Sequence, residues 1–177
     1  MKKQLLALAV LALAAGTASA QANDTLAKIK SSGTVNLGVR DSSGLAFTIG
    51  GGKYVGFHTE MAEHIVEDLK KVTGNPNLKI NYQVITSQNR IPLVQNGTID
   101  FECGSTTNNL TRQKDVAFAV TTYVEEVRMA VKANSGIKSI KDLAGKTVAT
   151  TTGTTSVQTL RKNERANGID FKEVMGK

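Results

Sequence analysis

The sequence is poor in the residues that most sharply narrow a function. One cysteine means that no disulfide can form within the chain and that no cysteine-rich zinc site can be built. Two histidines, with no HExxH or CxxC arrangement, leave little for a metal, and no metal or cofactor is implied. Tryptophan is absent and aromatics are 5% of residues, so platforms on which nucleic-acid bases stack are lacking. Basic residues never run longer than two, as at Lys70-Lys71 and Arg161-Lys162. A formal net charge of +7 therefore does not signal a nucleic-acid partner, because phosphate-binding arms need clustering. Only 2 prolines, 40% apolar and 21% charged residues describe a globular chain, neither collagenous nor disordered. Its 177 residues suit one ordinary domain or part of a two-domain protein.

What is present begins with a leader. Met1-Lys2-Lys3 is a short cationic start, Leu5 to Ala15 is uncharged and apolar, and Ala18-Ser19-Ala20 is a small-x-small cleavage signal. The apolar run is about half of the roughly 20 residues that a membrane span requires. Residues 1–20 thus read as a signal peptide cut after Ala20. Loss of Lys2 and Lys3 leaves 20 basic against 15 acidic residues, a charge of +5. No cysteine stands at the cut to carry a lipid anchor, so an exported protein of the bacterial periplasm is expected. Cys103 reads as a small buried hydrophobe near a strand end, with a disulfide to an outside partner as the alternative.

Beyond the leader, strand and helix patterns alternate. Thr34 to Val39 and Leu78 to Ile85 alternate as strands, and Ile99 to Cys103 reads as a third. Ala46 to Ile49 and Tyr54-Val55 flank a Gly50-Gly51-Gly52-Lys53 turn. From Glu60 to Val72, the residues Met61, Ile65, Leu69 and Val72 fall at helical spacing. Asn89 is placed to cap a short helix with Pro92 in its first turn, and Gly97 ends it. Val116 to Ala133 shows strand-like runs broken by Glu125-Glu126. A short helix at Ser139 to Leu143, a strand at Lys146 to Thr151, a helix at Thr154 to Ala166 and the start of a strand at Ile169 follow. This rhythm predicts an α/β fold with a mostly parallel open sheet.

Polar groups gather where the strands end, which in open α/β sheets is where ligands sit. Arg40, Asp41, Ser42 and Ser43 follow the first strand, and Thr86, Ser87, Gln88, Asn89 and Arg90 the second. The third delivers Ser105, Thr106 and Thr107, with Arg112 a turn later. In the second unit Gly153-Thr154-Thr155-Ser156 opens a helix. Arginine holds a carboxylate by two parallel hydrogen bonds, so three of them on one edge point to a small anionic ligand. Gly153 to Ser156 lacks the P-loop spacing and its lysine, which argues against a nucleotide. His58 and His64, six apart, are expected on different faces and at the surface. No nucleophile has an evident base, so catalysis is not indicated.

The stretch Ile85 to Asn109, ITSQNRIPLVQNGTIDFECGSTTNN, resembles periplasmic glutamate/aspartate-binding proteins, members of the bacterial extracellular solute-binding proteins of family 3 that serve ABC importers. The resemblance runs from Asn23 to about Lys177. It implies a periplasmic-binding-protein type II-like fold of two α/β lobes joined by a hinge. Residues 21–120 would be the first lobe, nearly complete, and 121–126 a hinge strand. Residues 127–177 would be the start of an incomplete second lobe, so a C-terminally truncated fragment is expected.

The resemblance also implies that Arg112 holds an α-carboxylate, aided by Ser105, Thr106 and Thr107. Arg40, Ser87 and Arg90 would receive a side-chain carboxylate, and Thr154 and Thr155 would be second-lobe contacts. The acid that accepts the α-ammonium in relatives would lie beyond Lys177. His58 stands where many amino-acid binders have Asp, and Ala46 where Pro is common. The partners so implied are L-glutamate or L-aspartate and the permease subunits of an importer, with the protein a monomer. Three alternatives remain at this point: a binder of another polar amino acid, a periplasmic cyclic amino-acid dehydratase, and a receptor ectodomain.

Overall fold

A computed structural model describes residues 24–41 and 43–176. The signal peptide expected over residues 1–20, its cut after Ala20, and Ser42 lie outside the described residues. The framework is built on β1 (Thr34–Val39), whose Val35, Leu37 and Val39 are buried. Branched and aliphatic side chains alternate there with Asn36 and Gly38, the period-2 pattern of a pleated strand. A helix, α1 (Thr25–Ser32), precedes it, capped by the Asp24 carboxylate on the Ala27 N–H and stopped by Gly33. The sequence reading did not anticipate this helix.

Two antiparallel strands, β2 (Phe47–Gly50) and β3 (Lys53–Val55), form the hairpin expected around the triple glycine. The helix α2 (Phe57–Thr73) then carries the chain back across the sheet to β4 (Lys79–Val84). A shorter helix, α3 (Arg90–Gln95), leads to β5 (Phe101–Glu102). Both β4 and β5 run parallel to β1, giving the order β4-β1-β5. All three strands therefore finish on one edge. A second unit holds β6 (Thr147–Thr151), α4 (Thr155–Asn167) and β7 (Lys172–Gly176), with β6 and β7 also parallel. Leu143, Val157 and Phe171 are its buried apolar residues.

One ion pair, with its carboxylate buried and its ammonium part-exposed, ties the first unit together. The Lys28 ammonium on α1 donates to Asp100 Oδ1 at 2.7 Å and to the Gly97 carbonyl at 2.7 Å. Asp100 Oδ2 accepts from the Asn36 N–H at 2.7 Å, so both carboxylate oxygens are used, and the Asp100 side chain is 1% exposed. A carboxylate so placed is stabilised by its donors, and loss of one partner would strand a buried charge.

Four expectations are corrected. The buried residues of α2 are His58, Thr59, Ala62, Val66 and Thr73; of the expected stripe Met61, Ile65, Leu69 and Val72, Leu69 packs against the core, while Ile65 and Val72 are exposed. The stripe follows what packs on Ile29, Val35 and Leu78, and small or polar residues meet that need as well as large apolar ones. His58 is accordingly buried rather than at the surface. Asn89 does not cap α3 with its side chain; its carboxamide oxygen accepts from the Thr86 N–H at 2.7 Å, closing a local turn instead. The strand expected at Thr121–Glu126 is not one, since residues 117–132 pair with nothing in a ladder and 119–136 are exposed. A strand needs a neighbour, and the described residues offer that segment none.

Leu37 is fully buried while Val72 is 64% exposed, which separates their expected effects. Leu37→Ala should lower stability by about 2–5 kcal/mol in urea unfolding, and Val72→Ala by less than about 0.5 kcal/mol. Equal losses would mean that the core is not centred on β1.

Candidate functional site

The parallel order delivers three loops to one place. Arg40 directly follows β1, Ser87 and Arg90 lie between β4 and the first turn of α3, and Ser105 to Arg112 follow β5. Gly38 on β1 leaves room for the side chains of Ile99 and Ile85 to pack across the strand. A methyl group there would stand 2.7 Å from Ile99 Cδ1 and 3.3 Å from Ile85 Cδ1.

The three arginines form a connected cluster. Arg40 Nη1 donates to Ser87 Oγ at 2.8 Å. Arg90 is 3% exposed, with Nη1 at 3.5 Å from Ser105 Oγ and 3.8 Å from Glu102 Oε1. Arg112, also buried, sends Nη1 to the Thr107 carbonyl and Nη2 to the Gly153 carbonyl, each at 3.0 Å. Burial pulls the Arg90 guanidinium below its ordinary pKa; Glu102 opposes that shift, and Arg112 and Arg40 reinforce it. Burial lowers Arg112 as well, again against Glu102. Mutual repulsion reaches Arg90 from both other arginines, so the three share one electrostatic environment.

The second unit meets this cluster through Gly153. Its φ is +77°, and a Cβ there would lie 2.6 Å from the Ser87 carbonyl oxygen and 2.7 Å from Gln88 Cα. Only glycine lets the turn after β6 press so closely on the β4–α3 loop. Thr155, the first residue of α4, has its hydroxyl 3.2 Å from that of Thr107.

The expected residues are thus not equivalent. Arg40, Ser87, Thr107, Arg112 and Thr155 are linked to one another directly or through Gly153, while Arg90, resting on Ser105, joins them through charge alone. Thr106 is turned aside, its hydroxyl donating to Glu102 Oε2 at 2.5 Å. Thr154 is the side-chain cap of α4, accepting from the Val157 N–H and donating to the Thr151 carbonyl, so its hydroxyl is already committed. Glu102, Gly153 and His58 were not singled out as site residues by the sequence reading. Glu102 looked like one more strand residue, although a carboxylate ending a strand beside Gly104 and three hydroxyls was the available signal.

A groove of about 430 Å³ opens beside the cluster, lined by Thr86, Gln88, Asn89, Pro92 and Thr152. None of the three arginines lines it, so the cationic cluster and the groove are neighbours rather than one cavity. Cys103 is half-buried behind β5, and burial, with the Glu102 charge, pushes its thiol up to about 11. Among the described residues no group of three or more His, Cys, Asp or Glu side chains is placed to hold a metal ion. No helix among them is long and apolar enough to cross a membrane.

Comparison with known proteins gives a consistent picture. Residues 35–174 match the family described as bacterial extracellular solute-binding proteins, family 3. The chain is 46% identical over 162 residues to the L-glutamate/L-aspartate-binding protein of Pseudomonas aeruginosa, covering 89% of this chain and 53% of that protein. It is 45% identical to the glutamate/aspartate import solute-binding protein of Salmonella typhimurium, covering 100% of this chain and 61% of the relative. It therefore spans just over half to about three-fifths of these relatives' length. Among solved structures, an ancestral arginine-binding protein bound to arginine matches with a TM-score of 0.62 and 28% identity, over 80% of this chain and 61% of the other.

His58 provides a pH test of the site's packing. Both ring nitrogens are buried without a hydrogen-bond partner, and burial holds the pKa below 6.5 against the opposing charges of Glu102 and Glu125. As pH falls through about 6.5 the unfolded imidazole takes up a proton that the buried ring refuses. Its contribution is complete above that value and is lost as pH falls through the lower folded pKa. Unfolding midpoints should decline as pH falls below about 6.5, and His58→Phe should flatten that decline. An identical slope in the two proteins would contradict the neutral buried ring.

Proposed function

The chain belongs to the bacterial extracellular solute-binding proteins, family 3, on the α/β fold of the type II periplasmic binding proteins, and we propose that it captures L-glutamate or L-aspartate and delivers it to the permease subunits of an ABC importer. The observation that carries this reading is the convergence of Arg40, Arg90 and Arg112 on one edge, joined by Ser87, Ser105 and Thr107. A dicarboxylic amino acid brings two anionic groups, and each needs a cationic partner when water is excluded. A guanidinium has five N–H donors, so Arg112 keeps donors free after serving two carbonyls. In this reading Arg112 takes the α-carboxylate with Ser105 and Thr107, while Arg40, Ser87 and Arg90 take the side-chain carboxylate. Thr155 contributes from the start of α4. Thr106 and Thr154 act at one remove, through Glu102 and through the helix cap.

The proposed setting is the periplasm, reached by removal of residues 1–20. Residues 21–120 form the first lobe and 127–177 belong to a second, with 121–126 as the crossing between them. Ligand bridging the two would shift an open–closed equilibrium toward the closed form. The contacts of Gly153 with the Ser87–Gln88 backbone and the Arg112 guanidinium support that geometry. The role is binding rather than catalysis: the relatives matched are solute-binding proteins, and the converging groups are cations and hydroxyls that hold anions. Hydrogen bonds to charged groups contribute roughly 1.5–3 kcal/mol each, so a few suffice for micromolar affinity of about −8 kcal/mol after ordering costs.

Calorimetric titration tests the roles separately. Arg90→Ala should weaken glutamate by at least about tenfold while affecting glutamine less. Arg112→Ala should impair every α-amino acid tested. Equal losses for glutamate and glutamine in the first variant would remove Arg90 from the side-chain subsite, and loss of a single ligand in the second would remove Arg112 from the α-carboxylate.

A further inference from the structure

The arginine cluster carries an anion of its own. Glu102 ends β5 with its side chain 8% exposed, anchored through Oε2 by the Thr106 hydroxyl at 2.5 Å. Its other oxygen, Oε1, is buried without a hydrogen-bond partner, and so is Arg90 Nε. Between Oε1 and Arg90 Nη1 the distance is 3.8 Å, too long for a hydrogen bond but close enough for strong Coulombic attraction. Among the described residues, Glu102 is the carboxylate whose charge acts on both Arg90 and Arg112.

That placement creates a conflict with the proposed ligand. A buried guanidinium flanked by two others needs an anion nearby, and in the empty site Glu102 supplies it. A ligand carboxylate reaching Arg90 must then share the guanidinium with a second carboxylate a few ångströms away, and the two repel. A neutral carboxamide escapes this repulsion. Its N–H can donate to the unpartnered Oε1, and its oxygen can accept from Arg90. We propose that Glu102 determines specificity by competing with the ligand's side-chain carboxylate for Arg90, which stabilises the empty site and narrows the margin by which glutamate outbinds glutamine. This inference rests on the assignment of Arg90 to the side-chain subsite.

The test uses L-glutamate and L-glutamine titrated into the full chain and its variants. Glutamine at position 102 is isosteric, and the Thr106 hydroxyl can still donate to it. Glu102→Gln should raise the ratio of glutamine to glutamate dissociation constants about tenfold, and should lower the melting temperature of the ligand-free protein, whose buried guanidinium loses its counter-charge. Glu102→Asp keeps the charge but draws it back by one methylene, so the ratio should rise by about threefold. That variant decides the matter should Glu102→Gln fail to fold. A ratio that stays level or falls in the variants, with glutamate still bound by the unchanged protein, overturns the competition alone. An unchanged protein that takes neither ligand overturns the proposed function, and the inference with it.

Discussion

Three guanidinium groups crowd one edge of a small parallel sheet, two of them largely withdrawn from water, and like charges so placed repel. Much of the surrounding structure serves to keep them there. The parallel order β4-β1-β5 brings three strand ends to the same side, so residues distant in sequence meet without long loops. Backbone carbonyls and hydroxyls then accept the donors that each guanidinium points inward, and one carboxylate offsets part of the charge. The cluster is a stored electrostatic cost, held by a core that lies elsewhere. This division between a packed apolar framework and a polar edge under tension is what a binding site for anions requires.

The framework itself is anchored by Val35, Leu37 and Val39 and by the Lys28–Asp100 pair on the opposite side of the unit. Asp100 and Glu102 illustrate how environment separates two acids of one short segment. The first has both oxygens satisfied by donors from α1 and β1. The second has one oxygen satisfied and one left over. Groups that are fully paired hold structure together; a group left partly unpaired in a polar cluster is where chemistry with a ligand has room to act.

Much of this was legible in the sequence. The span of β1, the hairpin around Gly50 to Gly52, and the alternation of strands with α2, α3 and α4 follow from side-chain period and from turn residues. The edge on which Arg40, Arg90 and Arg112 meet follows from what succeeds each strand. Other features depend on contacts that no local pattern records. The buried face of α2 was misread because His58, Thr59 and Thr73 are polar, and hydrophobic spacing alone favoured Ile65 and Val72. Asn89 and Thr154 show the same limit for single side chains. Asn89, expected to cap α3, closes a turn with Thr86, and Thr154, expected as a ligand contact, spends its hydroxyl on capping α4. Glu102 escaped notice because the chain neighbours Gly104 and Thr106 mark it only faintly, and the charges of Arg90 and Arg112 that give it weight come from distant segments.

The position of Cys103 behind that acid has a redox consequence. Thiol–disulfide exchange proceeds through the thiolate, and a thiol with a pKa of about 11 presents roughly one thiolate in ten thousand at neutral pH. Half-burial further hinders attack by an oxidant or by another thiol. Here burial and the negative charge of Glu102 favour the thiol over the thiolate, which slows exchange at this sulfur.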